Sequence, residues 1–284
     1  LITIAGLYVY PIKSCRGIAL SRARVTPAGL QHDREWMVVT PEGRFLTQRE
    51  VPRLAVVVPA LDEGQLTLGA PGMGPLNVSL REAPDAPQLE VTVWGAKCLA
   101  RDEGDDAAKW FSTVLGRAVR LVRFDRSRRR PTDPSWSQGL DGEALFSDGF
   151  PILVLSQASL DDLNSRLPVP PLPVDRFRPN VLIDGCEPYG EDGIATLASD
   201  SVRLRLVKPC TRCSITTVDQ LTGTPTGDEP LKTLKTYRWN AELRGVAFAQ
   251  NAIVETGDGA TLVVGSVLET TAKPEAAQPE PAHA

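Results

Sequence analysis

Lys208-Pro209-Cys210-Thr211-Arg212-Cys213-Ser214-Ile215-Thr216-Thr217-Val218-Asp219 sets two cysteines three positions apart, flanks the first with cations, and runs at once into β-formers. A Cys-x-x-Cys pair admits three chemistries: half of a zinc site, a thioredoxin-like redox pair, or one metal-binding thiolate beside a structural cysteine. Two inert cysteines buried in a strand are the fourth reading. Zinc fits worst, because a tetrahedral site needs a second pair of Cys or His ligands, and Cys15, Cys98 and Cys186 are scattered singly. A redox pair normally opens a helix, whereas Ile215 to Val218 favour a strand over 213–218. Lys208 and Arg212 would lower the thiol pKa of Cys210 and favour the thiolate, which suits a soft, redox-active metal.

The rest of the chain narrows the field. Only two histidines are present, so a His-based metal site or a Ser-His-Asp triad would rest on His32 alone. Five cysteines at irregular spacing make a poor disulfide framework and suggest reduced thiols in the cytoplasm. A net charge of -4 argues against nucleic acid as partner, since neutralising phosphates takes an excess of Lys and Arg. The one basic run, 126–130, reads as a solvated loop or as a patch for an anionic cofactor or partner. No stretch approaches the roughly 18 to 20 apolar residues of a membrane span, and no signal-like start is seen, so no membrane partner is expected.

Around this segment the chain is expected to be mainly β with some α. Short strands are predicted over 2–10, 35–40, 54–59, 65–68, 89–94 and 97–101, then over 152–155, 180–183, 202–207, 246–255 and 261–264. An amphipathic helix is predicted over 105–115, with Gly116 as C-terminal cap, and a second over 158–167, capped by Ser156 or Ser159 and stopped by Pro168. Two β-dominated lobes follow, with a division near residue 125. The Ala-, Pro- and Glu-rich end, residues 269–284, is expected to be a disordered tail, because it has no apolar periodicity to offset its ordering entropy.

The Cys210 segment, with Thr222-Gly223 after it, resembles the signature of MOSC domains. Asp175-Arg176-Phe177-Arg178-Pro179-Asn180 is similar to that family's R-F-R-P-N element, and Pro230-Leu231-Lys232-Thr233-Leu234-Lys235-Thr236-Tyr237-Arg238 to its later block. Tyr10-Pro11-Ile12-Lys13-Ser14-Cys15-Arg16-Gly17 and Asp33-Arg34-Glu35-Trp36-Met37-Val38 resemble the N-terminal β-barrel domain that precedes it. The resemblance implies an N-terminal barrel domain over 1–125 and a MOSC barrel domain over 126–268. The layout is most similar to the amidoxime-reducing components, which carry molybdenum on a single pyranopterin and reduce N-hydroxylated compounds.

On that resemblance Cys210 is the metal ligand and Cys213 is structural. Lys13, Ser14, Arg34, Ser147, Asp148, Arg178 and Asn180 hold the cofactor's phosphate and pterin, with backbone groups around Lys208, Pro209 and Thr211. Phe146-Ser147-Asp148-Gly149-Phe150-Pro151 matches the place of an acidic residue near the metal, which makes Asp148 the candidate proton donor or water-orienting group. Arg34 has a plainer alternative as ion-pair partner of Asp33 or Glu35. No iron-sulfur spacing follows Cys213 and no flavin motif is seen, so an external ferredoxin-type or flavin-linked protein is the expected electron donor. The membrane anchor of the mitochondrial members is likewise not seen. The competing function is sulfur transfer through a Cys210 persulfide, which would have no use for a phosphate cradle.

Overall fold

Apolar residues that alternate along seven strands form a ring, and the computed structural model, which describes residues 1–274, closes it. Around the ring the order is Ile152–Ser156, Val181–Asp184, Ile2–Val9, Val267–Ala272, Ile194–Ala198, Arg203–Thr211 and Gly245–Thr256, which pairs back to Ile152–Ser156. Closure removes the exposed edges that an open sheet would present. The barrel interior is filled by Ile4, Leu7, Val154, Val181, Leu204 and Ala252, all nearly inaccessible to water. Ile152–Ser156 and Val181–Asp184 are parallel, which demands a crossover, and the helix Gln157–Arg166 makes it. Ser156 caps that helix by accepting a hydrogen bond from the Ser159 N–H at 3.1 Å.

Trp36–Val39, Arg120–Phe124, Ala96–Asp102 and Gln88–Val93 form a four-stranded antiparallel sheet. Single bridges from Val39 to Phe45 and from Arg44 to Thr92 link its two outer strands. The helix Asp105–Leu115, ended by Gly116 in the left-handed conformation, buries Ala107, Trp110, Phe111 and Val114 in a second core beside the meander Val58–Asp62, Gln65–Gly69 and Leu76–Ser79. The mainly β architecture with few helices is as the sequence implied.

Several local expectations are corrected. Of residues 213–218 only Val218 is in a strand, the short Val218–Asp219: Ser214–Thr217 is a 3-10 turn, because the Thr216 hydroxyl donates to the Cys213 carbonyl at 3.0 Å and Thr217 to that of Ser214 at 2.8 Å. Short hydroxylated side chains compete with the ladder in this way. Residues 54–56 likewise belong to a 3-10 turn, Pro52–Val56, and the strand there is Val58–Asp62. The strand expected over 202–207 continues to Thr211 and so carries Cys210. Residues 269–272, assigned to the tail, are instead the end of the strand Val267–Ala272, paired with Ile194–Ala198. The remainder of that expected tail, 275–284, lies outside the described residues.

Two features bear on how the halves meet. Ile2–Val9, at the start of the chain, pairs with Val181–Asp184 and Val267–Ala272, so it is a stave of the barrel built chiefly from the second half. Arg22–Thr26 pairs with Thr261–Val263 in the same sense. No helix among the described residues is long and apolar enough to cross a membrane.

Candidate active site

Four loops and one strand end converge on a cavity of about 120 Å³. The loop leaving Ile2–Val9 brings Lys13 and Ser14, and the turn before Trp36–Val39 brings Arg34. The loop entering Ile152–Ser156 brings Ser147 and Asp148, the one entering Val181–Asp184 brings Arg178 and Asn180, and Arg203–Thr211 ends on Cys210 and Thr211. Three of these residues, Ser14 (φ 67°), Arg34 (φ 48°) and Arg178 (φ 58°), have left-handed backbones. Non-glycine residues persist there only where the surroundings over-determine them, which is characteristic of functional sites.

The cavity's charge is concentrated around Tyr10. Its buried ring lies 4.2 Å from the guanidinium carbons of both Arg34 and Arg178. A Cβ on Gly17 would sit 2.5 Å from that ring, which is why the motif ends in glycine. Arg34 does pair with Asp33, at 2.6 Å, and its other amino group donates to the Arg178 carbonyl at 3.2 Å, so the plainer reading and the cavity role are both realised. Arg178 donates one amino group to the Cys15 carbonyl at 2.6 Å, while its Nη2 is buried without a partner. Burial, with Arg34 adding repulsion, pushes Arg178 down to about 10. Asn180 accepts from the Leu153 N–H and donates to the Tyr8 carbonyl, both at 3.1 Å, and so also ties barrel strands together.

Cys210 differs from the other four free cysteines in what it faces. Burial pushes its thiol up, and the Arg212 guanidinium, 3.1 Å from Sγ, opposes that shift. Cys15, by contrast, is enclosed and pushed up to about 12. The expected lowering of the thiol pKa is therefore corrected: burial outweighs Arg212 and leaves Cys210 above its ordinary value, and Lys208 does not share the task, since its Nζ lies 4.8 Å from the Trp136 ring centre. Neither Lys208 nor Pro209 is among the side chains brought to the cavity, whereas Cys213 is. His32 is taken up by Glu35, at 2.9 Å.

Asp148 sits at the mouth, ion-paired to Lys13 and accepting from the Trp94 Nε1–H at 2.9 Å. Burial would raise its pKa, but the side chain is 65% exposed, and the Lys13 ammonium holds the carboxyl well below the usual carboxylate range. An ionised Asp148 fits the water-orienting role of the two considered. Lys13 is pushed down by burial and also donates to the Phe146 carbonyl at 2.8 Å.

The basic run is exposed from Arg126 to Arg129, as the solvated reading expected, but most of its charge is paired. Arg126 faces Glu35 and Glu82, and Arg129 pairs with Asp141 and Glu143. Arg130 turns inward and donates to the carbonyls of Leu145, Ser147 and Asp148 at 2.7, 2.7 and 2.9 Å. It thus clamps the loop that presents Asp148. Sequence reasoning missed this residue, because a guanidinium serving backbone carbonyls 15 to 18 positions away leaves no local signal. Asn251, also in the cavity, had one: with Gln250 it interrupts an otherwise apolar strand.

Comparison with known proteins supplies the family. The profile of the MOSC N-terminal beta barrel domain matches residues 1–118 and that of the MOSC domain residues 141–268. Mitochondrial amidoxime-reducing component 1 of Mus musculus is 40% identical over 244 residues, covering 83% of this chain and 71% of the relative. Mitochondrial amidoxime reducing component 2 of Rattus norvegicus is 38% identical over 245 residues, and component 1 of Homo sapiens 38% over 244; each alignment covers 83% of this chain and 72% of the relative. The chain belongs to the amidoxime-reducing component family of MOSC proteins.

Membership in the amidoxime-reducing components implies a molybdenum cofactor, and the residues present fit one. Arg178 Nη2 and Ser147 Oγ are buried polar atoms without partners, and an unpaired buried donor is costly unless a ligand completes it. Two guanidiniums flanking one ring repel each other, and an anion such as a phosphate relieves that repulsion. Cys210 supplies a soft donor. Among the described residues no three His, Cys, Asp or Glu side chains gather to cage a metal ion.

Proposed function

We propose that this chain reduces N-hydroxylated compounds, such as amidoximes, hydroxylamines and N-hydroxylated bases, on a molybdenum cofactor ligated by Cys210 and fed by a separate electron-donor protein. The observation that carries the reading is one cavity in which the Cys210 thiol shares walls with unpartnered Arg178 Nη2 and Ser147 Oγ. A sulfur carrier needs the thiol alone. The bound group, on one pyranopterin, supplies two-electron redox chemistry. In the reaction the N–O bond breaks as two electrons and two protons are consumed, leaving N–H and water. At the mouth Asp148, ionised, is a hydrogen-bond acceptor for the incoming N–OH or a water, and Lys13, its ammonium made more acidic by burial, is the proton source beside it.

The donor protein, ferredoxin-type or flavin-linked, is part of the same proposal. It is supported by a site where no third Cys, His, Asp or Glu joins Cys210 and Cys213 to build a cluster among the described residues. So is a cytoplasmic setting, supported by five cysteines that are all free; recovery of the chain from a membrane-bounded organelle would overturn it.

The test uses full-length protein from a host that makes the cofactor. Expected are about one molybdenum per chain and a fluorescent oxidised pterin on heat release. Arg178→Ala and Lys13→Ala should each remove a charge-assisted contact of about 1.5 to 3 kcal/mol and weaken pterin retention roughly ten- to a hundredfold. Wild-type protein without pterin would sink the oxidoreductase reading and leave the Cys210 persulfide.

A further inference from the structure

Trp94 and Gly95 make the two-residue turn between Gln88–Val93 and Ala96–Asp102, and both have left-handed backbones, φ 50° and 83°. A turn of this kind favours Asn-Gly; a bulky aromatic at its first position is strained. The tryptophan is therefore kept for something other than the turn. Its indole is fixed on three sides: Nε1–H donates to Asp148, the Arg49 guanidinium lies 4.1 Å from the ring centre, and Phe45 meets it edge-on at 5.0 Å. The residue is still 46% exposed.

Trp94 stands where two cavities meet. On one side is the Cys210 cavity; on the other is a groove of about 560 Å³, which Trp94 lines and which shares Asp148 and Gly149 with the first. Val93, Cys98, Leu99 and Phe124 give the groove an apolar floor, with charged groups such as Glu90 and Arg128 exposed at its rim. Its size is ordinary for a small-molecule pocket, roughly 300 to 1,000 Å³. With a pterin in the inner cavity, the part of a substrate that does not react has to lie outside it, and this groove is the concave surface continuous with the mouth.

Resting on the reaction assigned above, we propose that the groove binds the apolar body of the substrate, an aryl ring or its equivalent, and that Trp94 is the wall that seats this body against Asp148. The chain then favours aryl N-hydroxy compounds over bare hydroxylamine through binding of the body.

The experiment compares cofactor-loaded wild type with Ala96→Trp, which fills the groove from an exposed strand position, and Trp94→Asn, which suits the turn's backbone. The probes are benzamidoxime and hydroxylamine, turned over with a reduced dye, and benzamidine, whose binding is followed by calorimetry. Ala96→Trp should raise KM for benzamidoxime and weaken benzamidine binding by about ten- to a hundredfold, the worth of burying a ring, while hydroxylamine turnover stays unchanged. Trp94→Asn should lose benzamidine binding to a similar degree with its thermal midpoint retained. Unaltered benzamidine binding in Ala96→Trp, or an equal fall for hydroxylamine, overturns the proposal. If wild type reduces neither substrate yet binds benzamidine and Ala96→Trp expels it, the groove stands and the assigned reaction falls.

Discussion

Cys210 and Cys213 lie three positions apart, yet the structure gives them different work. Cys210 ends a strand with Arg212 at 3.1 Å from its sulfur, whereas Cys213 precedes a 3-10 turn and accepts the Thr216 hydroxyl on its carbonyl. A guanidinium beside a partly buried thiol stabilises the thiolate that a metal needs. Cys210→Ser should therefore lose the metal signal and lower activity by more than about a hundredfold, since even groups outside the ligand sphere cost ten- to a hundredfold. Cys213→Ser should retain metal and lose about 1 kcal/mol of stability. Metal analysis and chemical denaturation of the two variants check this, and metal retained in Cys210→Ser would remove the ligand assignment.

At the scale of elements, the site is made of loops whose geometry is imposed by groups elsewhere in the chain. The loop carrying Ser147 and Asp148 has three carbonyls held by Arg130. Arg130 is itself pushed down by burial, which reflects how little water shares these bonds. Arg130→Ala should cost about 2 to 3 kcal/mol, because carbonyls that lose a charged donor keep their desolvation cost. It should also lower turnover by displacing Asp148 from the mouth. Arg130→Lys should restore little, since an ammonium cannot span three carbonyls as the planar fork does. A denaturation midpoint equal to that of wild type would show the clamp to be incidental.

At the scale of the molecule, a buried network around Glu35 contributes to acid stability. Glu35 receives His32 at 2.9 Å, Arg123 at 3.0 Å and Arg126 at 3.5 Å, with both Glu35 and Arg123 almost inaccessible. Burial raises the Glu35 pKa, but these partners outweigh it and leave the carboxyl below its ordinary 4.5. A carboxyl with a lowered folded pKa stabilises fully above its unfolded value, and that contribution disappears as pH falls through the folded one. Wild type should thus lose stability on acidification below the ordinary glutamate range. Glu35→Gln, which leaves Arg123 with Glu103 at 3.7 Å and the carbonyls of Ser79 and Leu80, should be less stable by about 1 to 3 kcal/mol at neutral pH and show a flatter acid limb. Urea titrations at neutral and acid pH measure both quantities, and parallel curves would exclude Glu35 as the source.

The sequence by itself determined the β class and the two main helices, which follow from local causes: alternation of apolar residues and the Ser156 and Gly116 caps. Lys13, Arg34, Arg178 and Cys210 were legible only through motifs that resemble those of MOSC proteins, and the fold brings them to one cavity. Only the tertiary structure decided that Ile2–Val9, legible as a strand, joins the barrel of the second half, and that Val267–Ala272 is a strand at all, because their pairing partners lie some 180 and 70 residues away, respectively. It also decided that Thr216 and Thr217 curl their segment rather than extend it, and that Lys208 stacks on Trp136 while Arg212 takes the thiol. Arg130 and Trp94 were invisible for the same reason: their partners, backbone carbonyls in one case and a distant carboxylate in the other, are brought near only by the folded chain.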